Sequence, residues 1–180
     1  MKKIVWTFGL ISGAVMALFM VVTVPFIGDH GVADAIVGYA GMVAAFLLVY
    51  FGVRSYRDNV LGGTIGFGRA FSAGILIAAI ASVCYVATWE VIYYRFMPDF
   101  YTKYGQSMVE GARKSGKSEA EVKKVQADME AMVKRVEASP LFVTVVTFGE
   151  PFPVGLVIAL VSAGLLRRRR AERGAVLATA

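Results

Sequence analysis

The last hydrophobic segment of the chain reads Pro140-Leu-Phe-Val-Thr-Val-Val-Thr-Phe-Gly-Glu150-Pro151-Phe-Pro153-Val-Gly-Leu-Val-Ile-Ala-Leu-Val-Ser-Ala-Gly-Leu-Leu166, and four arginines at positions 167–170 follow it. It is long enough to cross a lipid bilayer, because about 20 apolar residues suffice. A glutamate and two prolines lie near its middle. The segment therefore predicts a membrane-spanning helix with a polar interruption.

The whole chain is more apolar than a water-soluble domain. Its 180 residues are 57% hydrophobic and its mean hydropathy is +0.63, whereas ordinary globular chains are about 45–50% apolar with Gly counted. The apolar residues fall in four long runs, which indicates several spans. We therefore predict an all-α integral membrane protein, a single membrane domain over 1–180 with four transmembrane helices. The predicted spans are approximately 4–27, 35–53, 70–96 and 141–166.

A charged region, 99–139, separates the third and fourth predicted spans. Asp99 can start a first helix there, and Gly116 is expected to end it. Ser118-Glu-Ala-Glu121 has the pattern of a capping box, in which the serine and the glutamate three residues later satisfy each other's backbone amides. We therefore predict an extramembrane helical pair inserted between two spans.

The second helix of this pair carries an apolar seam, whose members recur at alternating spacings of three and four. The seam consists of Val122, Val125, Met129, Met132 and Val136. This is the a/d pattern of a coiled coil, but about two and a half heptads are too few for an independent one. We expect the seam to pack on the first helix of the pair, on the membrane surface or on a second subunit.

The basic residues predict the orientation. With four spans, one side of the membrane receives Lys2, Lys3, Arg54, Arg57, Arg69 and the arginines at 167–170. Loops rich in Lys and Arg stay in the cytoplasm. We therefore expect a multi-pass protein of the inner (plasma) membrane with both termini cytoplasmic and the helical pair extracytoplasmic. The apolar run behind Lys2 and Lys3 is too long for the core of a signal peptide.

Small residues recur four positions apart in every predicted span. They are Gly9, Gly13 and Ala17; Gly41 and Ala45; Gly74, Ala78 and Ser82; Gly155, Ala159 and Ala163. Small side chains let helix backbones approach closely in a membrane. The pattern indicates either one compact four-helix bundle or a bundle with one such stripe on a dimer face.

Two acids, Glu90 and Glu150, fall inside predicted spans. Intramembrane acids cost a few kcal/mol and usually face the bundle interior. Thr144 and Thr147 precede Glu150 at three-residue spacing, so these three residues share a polar stripe. We take Glu90, Glu150 and Thr147 as a candidate intramembrane polar site.

Pro151 and Pro153 predict a helix break beside that site. They withhold two amide donors, so the carbonyls of Thr147 and Gly149 lack helical partners. A protonated Glu150, a water or a neighbouring helix can satisfy these carbonyls. The structural interpretation is a neutral acid that ties a kinked helix into its bundle, and the functional one is a proton or cation site at a broken helix, as in transporters.

The far end of the third predicted span is dense in aromatic residues: Tyr85, Trp89, Tyr93, Tyr94 and Phe96. Such a cluster is typical of the aromatic belt at a membrane–water boundary. A cage of rings that stacks on a ligand is the alternative interpretation.

Several classes of site are disfavoured by composition. Cys84 is the single cysteine and His30 the single histidine, so neither an intrachain disulfide nor a multi-cysteine metal site is available. The sequence shows no catalytic constellation, and we predict no enzyme activity, metal or cofactor. The net charge of +6 arises mostly at the ends of apolar runs, which favours contact with the lipid bilayer over nucleic acid.

Four motifs carry a resemblance over nearly the whole chain. They are Gly66-Phe-Gly-Arg-Ala-Phe-Ser-Ala-Gly74, Val91-Ile-Tyr-Tyr-Arg-Phe-Met-Pro-Asp-Phe100, Ser115-Gly-Lys-Ser-Glu-Ala-Glu-Val122 and Glu150-Pro-Phe-Pro-Val-Gly155. With them the chain resembles a family of small bacterial four-span membrane proteins catalogued as domain of unknown function 4199. The resemblance implies a bacterial inner-membrane location and implies no activity, cofactor or catalytic residue.

Two functional hypotheses follow. The first is a non-enzymatic structural or partner-binding membrane protein, whose helical pair contacts a second copy or another membrane or periplasmic protein. The alternative is a small transporter or channel component that uses Glu150 at the proline-broken helix.

Overall fold

The computed structural model describes residues 1–24 and 32–167, and helices make up all the regular structure in these two ranges. The helices are α1 (Lys2–Thr23), α2 (Val32–Val60), α3 (Phe67–Phe96), α4 (Phe100–Lys114), α5 (Glu119–Ala138), α6 (Pro140–Phe148) and α7 (Pro151–Leu166). Four stretches within the described ranges are long and apolar enough to cross a membrane: Lys2–Thr23, Ile36–Val60, Phe67–Phe96 and Pro140–Leu166. The predicted all-α class with four spans is thereby confirmed.

Helix α2 extends beyond the apolar run from which it is predicted. The predicted second span is 35–53, whereas α2 covers Val32–Val60. Arg54 and Asp58 form an ion pair one turn apart, at 3.5 Å, on the polar end of α2. Hydropathy marks where the apolar surface ends. The helix continues beyond that point as a polar segment with this ion pair.

A glycine turn and two undescribed segments complete the connections. Gly62 and Gly63, at φ +67° and +89°, form the turn between α2 and α3 in a conformation that glycine adopts at no steric cost. The end of the predicted first span and its loop, at 25–31, lie outside the described residues. So do the arginines at 168–170.

The membrane helices alternate in direction. A Cβ added to Gly9 would meet Ile80, and one added to Gly13 would meet Cys84, so α1 and α3 run parallel. The hydroxyl of Ser12 donates to the carbonyl of Ala45 in α2, at 2.9 Å within the core. Helices α1 and α7 each pack against both α2 and α3. The alternation brings the helix ends that carry Lys2, Arg57, Arg69 and Arg167 to one end of the bundle.

The small residues pack inside this bundle. A Cβ on Gly155 would lie 2.8 Å from the Cβ of Ala78 and 2.9 Å from the ring of Phe46, and a Cβ on Gly74 would lie 3.0 Å from the Cβ of Ala159. Close approach of this kind lets dispersion contacts hold helices together in lipid. The stripes of α3 and α7 thus join two neighbouring helices of one chain.

Helices α4 and α5 dock at the other end of the bundle, which we call the α4–α5 end. A buried cluster there joins Trp89 and Tyr93 of α3, Tyr101 of α4, Val136 of α5 and Val143 of α6. This apolar contact fixes the helical pair to the spans.

The residues at the start of α5 form the capping contacts that the sequence predicts. The hydroxyl of Ser118 accepts from the Glu121 amide, and the carboxylate of Glu121 accepts from the Ser118 amide at 2.9 Å. The expected capping box is confirmed. Gly116 has φ +72° in the turn just after α4.

The last span is divided in two. Ser139 caps α6, accepting from the Phe142 amide at 3.3 Å, and the helix ends at Phe148. Helix α7 restarts at Pro151. Helix α7 packs against α2 and α3, whereas α6 packs against α3 and α5. The two halves of the span therefore share α3 and differ in their second neighbour.

Candidate functional site

The polar stripe of the last span, Thr144, Thr147 and Glu150, faces α3 and α4. Tyr85 donates its hydroxyl to Glu150 Oε2 at 3.0 Å, and Thr144 donates its hydroxyl to Glu90 Oε1. These two bonds link the last span to α3 at two levels. Each acid of the candidate site therefore has its own hydroxyl partner from another element.

Thr147 joins the stripe to α4. It is buried, at 3% exposure, and its side chain shares a hydrogen bond with Tyr101. The indole nitrogen of Trp89 also donates to the Tyr101 hydroxyl, at 3.4 Å. Burial raises the pKa of Tyr101, and its hydrogen bonds with Trp89 and Thr147 oppose that rise. Tyr101 is thus a neutral phenol that connects α3, α4 and α6.

The Thr147 carbonyl has a partner that the sequence did not indicate. The backbone amide of Glu150 donates to it at 3.4 Å, closing a tighter turn before the prolines. The sequence predicts a protonated Glu150, a water or a neighbouring helix in that role. The Glu150 side chain accepts instead from the Tyr85 hydroxyl.

The aromatic residues of α3 divide into two groups. Trp89 and Tyr93 are buried and meet rings of α4: Trp89 lies edge-on to Phe100, with 4.7 Å between centroids. Tyr94 and Phe96 are exposed, Phe96 at 76%, as expected of a boundary belt. One side of the aromatic cluster therefore supports α4, and the other faces outward.

A cavity of about 490 Å³ lies at the α4–α5 end. Its walls come from six helices and the α6–α7 junction: Met16, Phe19, Met20, Thr23, Val24, Gly38, Tyr39, Gly41, Met42, Tyr85, Trp89, Met97, Phe100, Tyr101, Tyr104, Met108, Met132, Val146 and Glu150. Helices α1 and α2 contribute to the wall, and α6, which packs against α3 and α5, contributes Val146. Volumes of roughly 300–1,000 Å³ are typical of sites for small molecules.

Glu150 is the acid of the candidate site that reaches the cavity. It is exposed, and its carboxylate, held by Tyr85, lies in the cavity wall. Glu90, bonded to Thr144, is not part of that wall. The sequence indicated the acid, the break and the aromatic cluster separately. It gave no sign of the cavity, because the lining residues are scattered from position 16 to position 150.

The seam of α5 faces inward. Val122 and Val136 are buried, and a Cβ added to Gly105 of α4 would lie 3.3 Å from Met129. Met132 lines the cavity. Of the three expected positions for the seam, the structure shows packing on the first helix of the pair, continued onto the ends of the spans.

The four apolar spans and the docked helical pair define a multi-pass membrane protein of unknown activity with an apolar cavity at one end. The chain belongs to the family described as Protein of unknown function (DUF4199), which it matches over residues 7–168. The family named by the resemblance is therefore confirmed. Comparison with the curated proteins and with the solved structures gave no match.

Proposed function

We propose that this protein is a non-enzymatic, partner-binding protein of the bacterial inner membrane. Both termini lie in the cytoplasm, and α4 and α5 lie on the opposite side. Support comes from the bundle, which collects Lys2, Arg57, Arg69 and Arg167 at the end opposite the helical pair. Basic residues at one end are the usual signal for a cytoplasmic face.

The observation that carries the proposal is the two-sided character of α5. Its seam packs inward, while its other face exposes charges of both signs, among them Lys124, Asp128 and Lys134. A charged face belongs in water, and the buried cluster under it holds that face at a fixed position beside the membrane. A fixed, solvated surface suits contact with a membrane or periplasmic protein.

A non-enzymatic role is also consistent with how the intramembrane polar groups are used. Thr144, Thr147 and Glu150 each bond to another helix. In lipid such bonds join helices.

Photocrosslinking in native membranes tests the proposal. A photoreactive residue at Lys124 or Asp128, on the exposed face of α5, is expected to give a protein adduct of defined mass. The same residue at Val157, an exposed apolar position of α7, should give lipid adducts. An adduct between two copies of this chain would assign the face to self-association, and absence of protein adducts at both α5 positions would contradict the proposal.

A small transporter or channel component is the second candidate. It is favoured by the position of Glu150, which lies at the interruption between α6 and α7 and in the cavity wall. Purified protein in liposomes should then carry a cation flux that Glu150→Gln abolishes and Glu90→Gln retains. Equal flux from liposomes with and without the protein would rule this candidate out.

A further inference from the structure

We propose that the cavity at the α4–α5 end binds a small lipophilic cation, with Glu150 as its counter-ion. This goes beyond the partner contact proposed above. It concerns binding alone and stands whether or not the bound molecule crosses the membrane.

The wall of the cavity suits a hydrophobic ligand of variable shape. Six of the eight methionines of the chain line it: Met16, Met20, Met42, Met97, Met108 and Met132. Methionine is unbranched and polarisable, so a wall rich in it adapts to different apolar groups. This enrichment in one place indicates a surface that accommodates a ligand rather than one that is filled by rigid packing.

Aromatic rings in the same wall favour a positive charge. Tyr39 of α2, Trp89 of α3 and Tyr104 of α4 contribute from three different helices. The face of an aromatic ring attracts a cation, most strongly for Trp. Rings around an apolar space are the usual means by which proteins hold quaternary ammonium groups, which have no N–H to donate.

The charged side chains in the cavity wall also favour a cation. Among the described residues that line the cavity, Glu150 is the sole carboxylate and none is lysine, arginine or histidine. The Tyr85 hydroxyl orients its carboxylate. A cation in the cavity therefore meets a negative partner, and no basic side chain competes with it among the lining residues that the structure describes.

The start of α7 does not turn the cavity into an anion site. A helix N-terminus binds anions through its free amides. Pro151 and Pro153 at the start of α7 have no amide hydrogen, so two of those donors are missing beside Glu150. The combination of a carboxylate and missing amides selects against a negatively charged ligand.

Binding of tetraphenylphosphonium tests the proposal, with tetraphenylborate, a tetraphenyl anion of similar size and shape, as the matched probe. The purified full chain in maltoside detergent is titrated with each ion by calorimetry. Tetraphenylphosphonium should bind with one site per chain, and tetraphenylborate should not. In a Trp6→Phe background Trp89 is the remaining tryptophan, so its emission should change with the same titration curve.

Variants locate the site. Glu150→Gln should weaken tetraphenylphosphonium binding by about tenfold or more, because it removes the counter-ion in an apolar setting. Glu90 lies outside the cavity wall, so Glu90→Gln should leave the affinity for tetraphenylphosphonium unchanged. Should Glu150→Gln fail to fold, the comparison of cation and anion on the unmodified chain still decides the matter.

Three results would overturn the proposal. They are equal binding of the two ions, an affinity unaffected by Glu150→Gln, and retention of a phospholipid that blocks tetraphenylphosphonium. The last would assign the cavity to a lipid. None of them bears on a protein partner at the outer face of α5, so the two proposals fail separately.

Discussion

The hydroxyl of Tyr85 lies 3.0 Å from Glu150 Oε2, although 65 positions separate the two residues in the chain. The bond joins α3 to the junction of α6 and α7, where the second neighbour of the last span changes from α5 to α2. It holds the carboxylate at the cavity wall and leaves the Thr147 carbonyl to the backbone amide of Glu150.

A double-mutant cycle on Tyr85 and Glu150 tests this bond. Tyr85→Phe should lower stability by about 0.5–1.5 kcal/mol, the usual net value of a hydrogen bond. Glu150→Leu should cost a similar amount, since it leaves the Tyr85 hydroxyl without its acceptor. Glu150→Gln keeps an acceptor oxygen and similar volume, so it should melt close to the unmodified protein in detergent.

The double variant Tyr85→Phe, Glu150→Leu should lose no more than either single change. Additive losses would show that the two side chains do not interact. Melting of Glu150→Leu at the unmodified temperature, together with destabilisation by Glu150→Gln, would show that Glu150 is not a structural acceptor for Tyr85. The charge of Glu150 is tested separately, by the comparison of cation and anion binding.

Gly155→Ala should destabilise the bundle. The added Cβ would lie 2.8 Å from Ala78 and 2.9 Å from Phe46, and overpacking of this kind costs about 1–3 kcal/mol. Gly164→Ala on the same helix is the control, because nothing lies within 4 Å of its Cβ. It should be neutral or slightly stabilising, given the helix propensity of alanine. Thermal melting in detergent compares the two, and equal melting temperatures would contradict the close packing of α3 and α7.

Met129→Asp should undock part of the helical pair. It places a charge against Gly105 of α4, where an uncompensated charge is costly to bury. Ala127→Asp adds the same charge at an exposed position of α5 and should have little effect. Limited proteolysis of the 99–139 region is the measurement. Equal protease resistance in the two variants would show that Met129 is not packed.

Acidification should loosen the start of α5. Hydrogen bonds from Ser118 hold the pKa of Glu121 below its usual value. An acid with a lowered pKa stabilises the fold above its unfolded-state pKa, and this contribution is lost as the pH falls through the folded-state value. The amide resonances of Glu121 and Val122 should therefore shift below about pH 4.

Ser118→Ala is the matched variant for that titration. It removes the hydroxyl that bonds to the Glu121 amide and carboxylate, and should destabilise α5 by about 1 kcal/mol. Its Glu121 resonances should titrate nearer the usual carboxyl pKa. An identical titration midpoint with and without the Ser118 hydroxyl would contradict the capping box as the cause.

Cysteine labelling tests the orientation. In a Cys84→Ala background, a cysteine at position 115 should react with an impermeant thiol reagent in intact cells, and a cysteine at position 2 should react after the membrane is opened. Strong labelling of position 2 in intact cells, with none at position 115, would reverse the proposed topology.

The sequence predicted those parts of the fold that depend on neighbouring residues. Four apolar runs gave four spans, the Ser118–Glu121 spacing gave a capping box, and the three-residue spacing of Thr144, Thr147 and Glu150 gave one polar face. Each signal follows from helix periodicity or from backbone amides a few residues away.

Features that depend on packing between distant segments were not predictable in this way. The partners Tyr85 and Tyr101, the contact of α6 with α5 and the cavity beside α1 and α2 all arise from how helices lie against one another. Proline spacing indicated a break, but the direction taken after a break depends on the surfaces it meets. The sequence therefore identifies the acid of the site, Glu150, and the structure adds the cavity beside it.

The arrangement of neighbours in the bundle has a consequence for synthesis. Helix α7 packs against both α2 and α3. The faces of α2 and α3 that contact α7 are therefore covered only when the last span enters the bilayer. The ribosome synthesises α1, α2 and α3 first. The small residues Gly74 and Ala78 of α3 therefore stay uncovered until Ala159 and Gly155 of α7 are made. A chain truncated before α7 presents these faces to lipid or to other nascent helices, and a membrane protease that recognises unassembled spans would meet the chain in that interval.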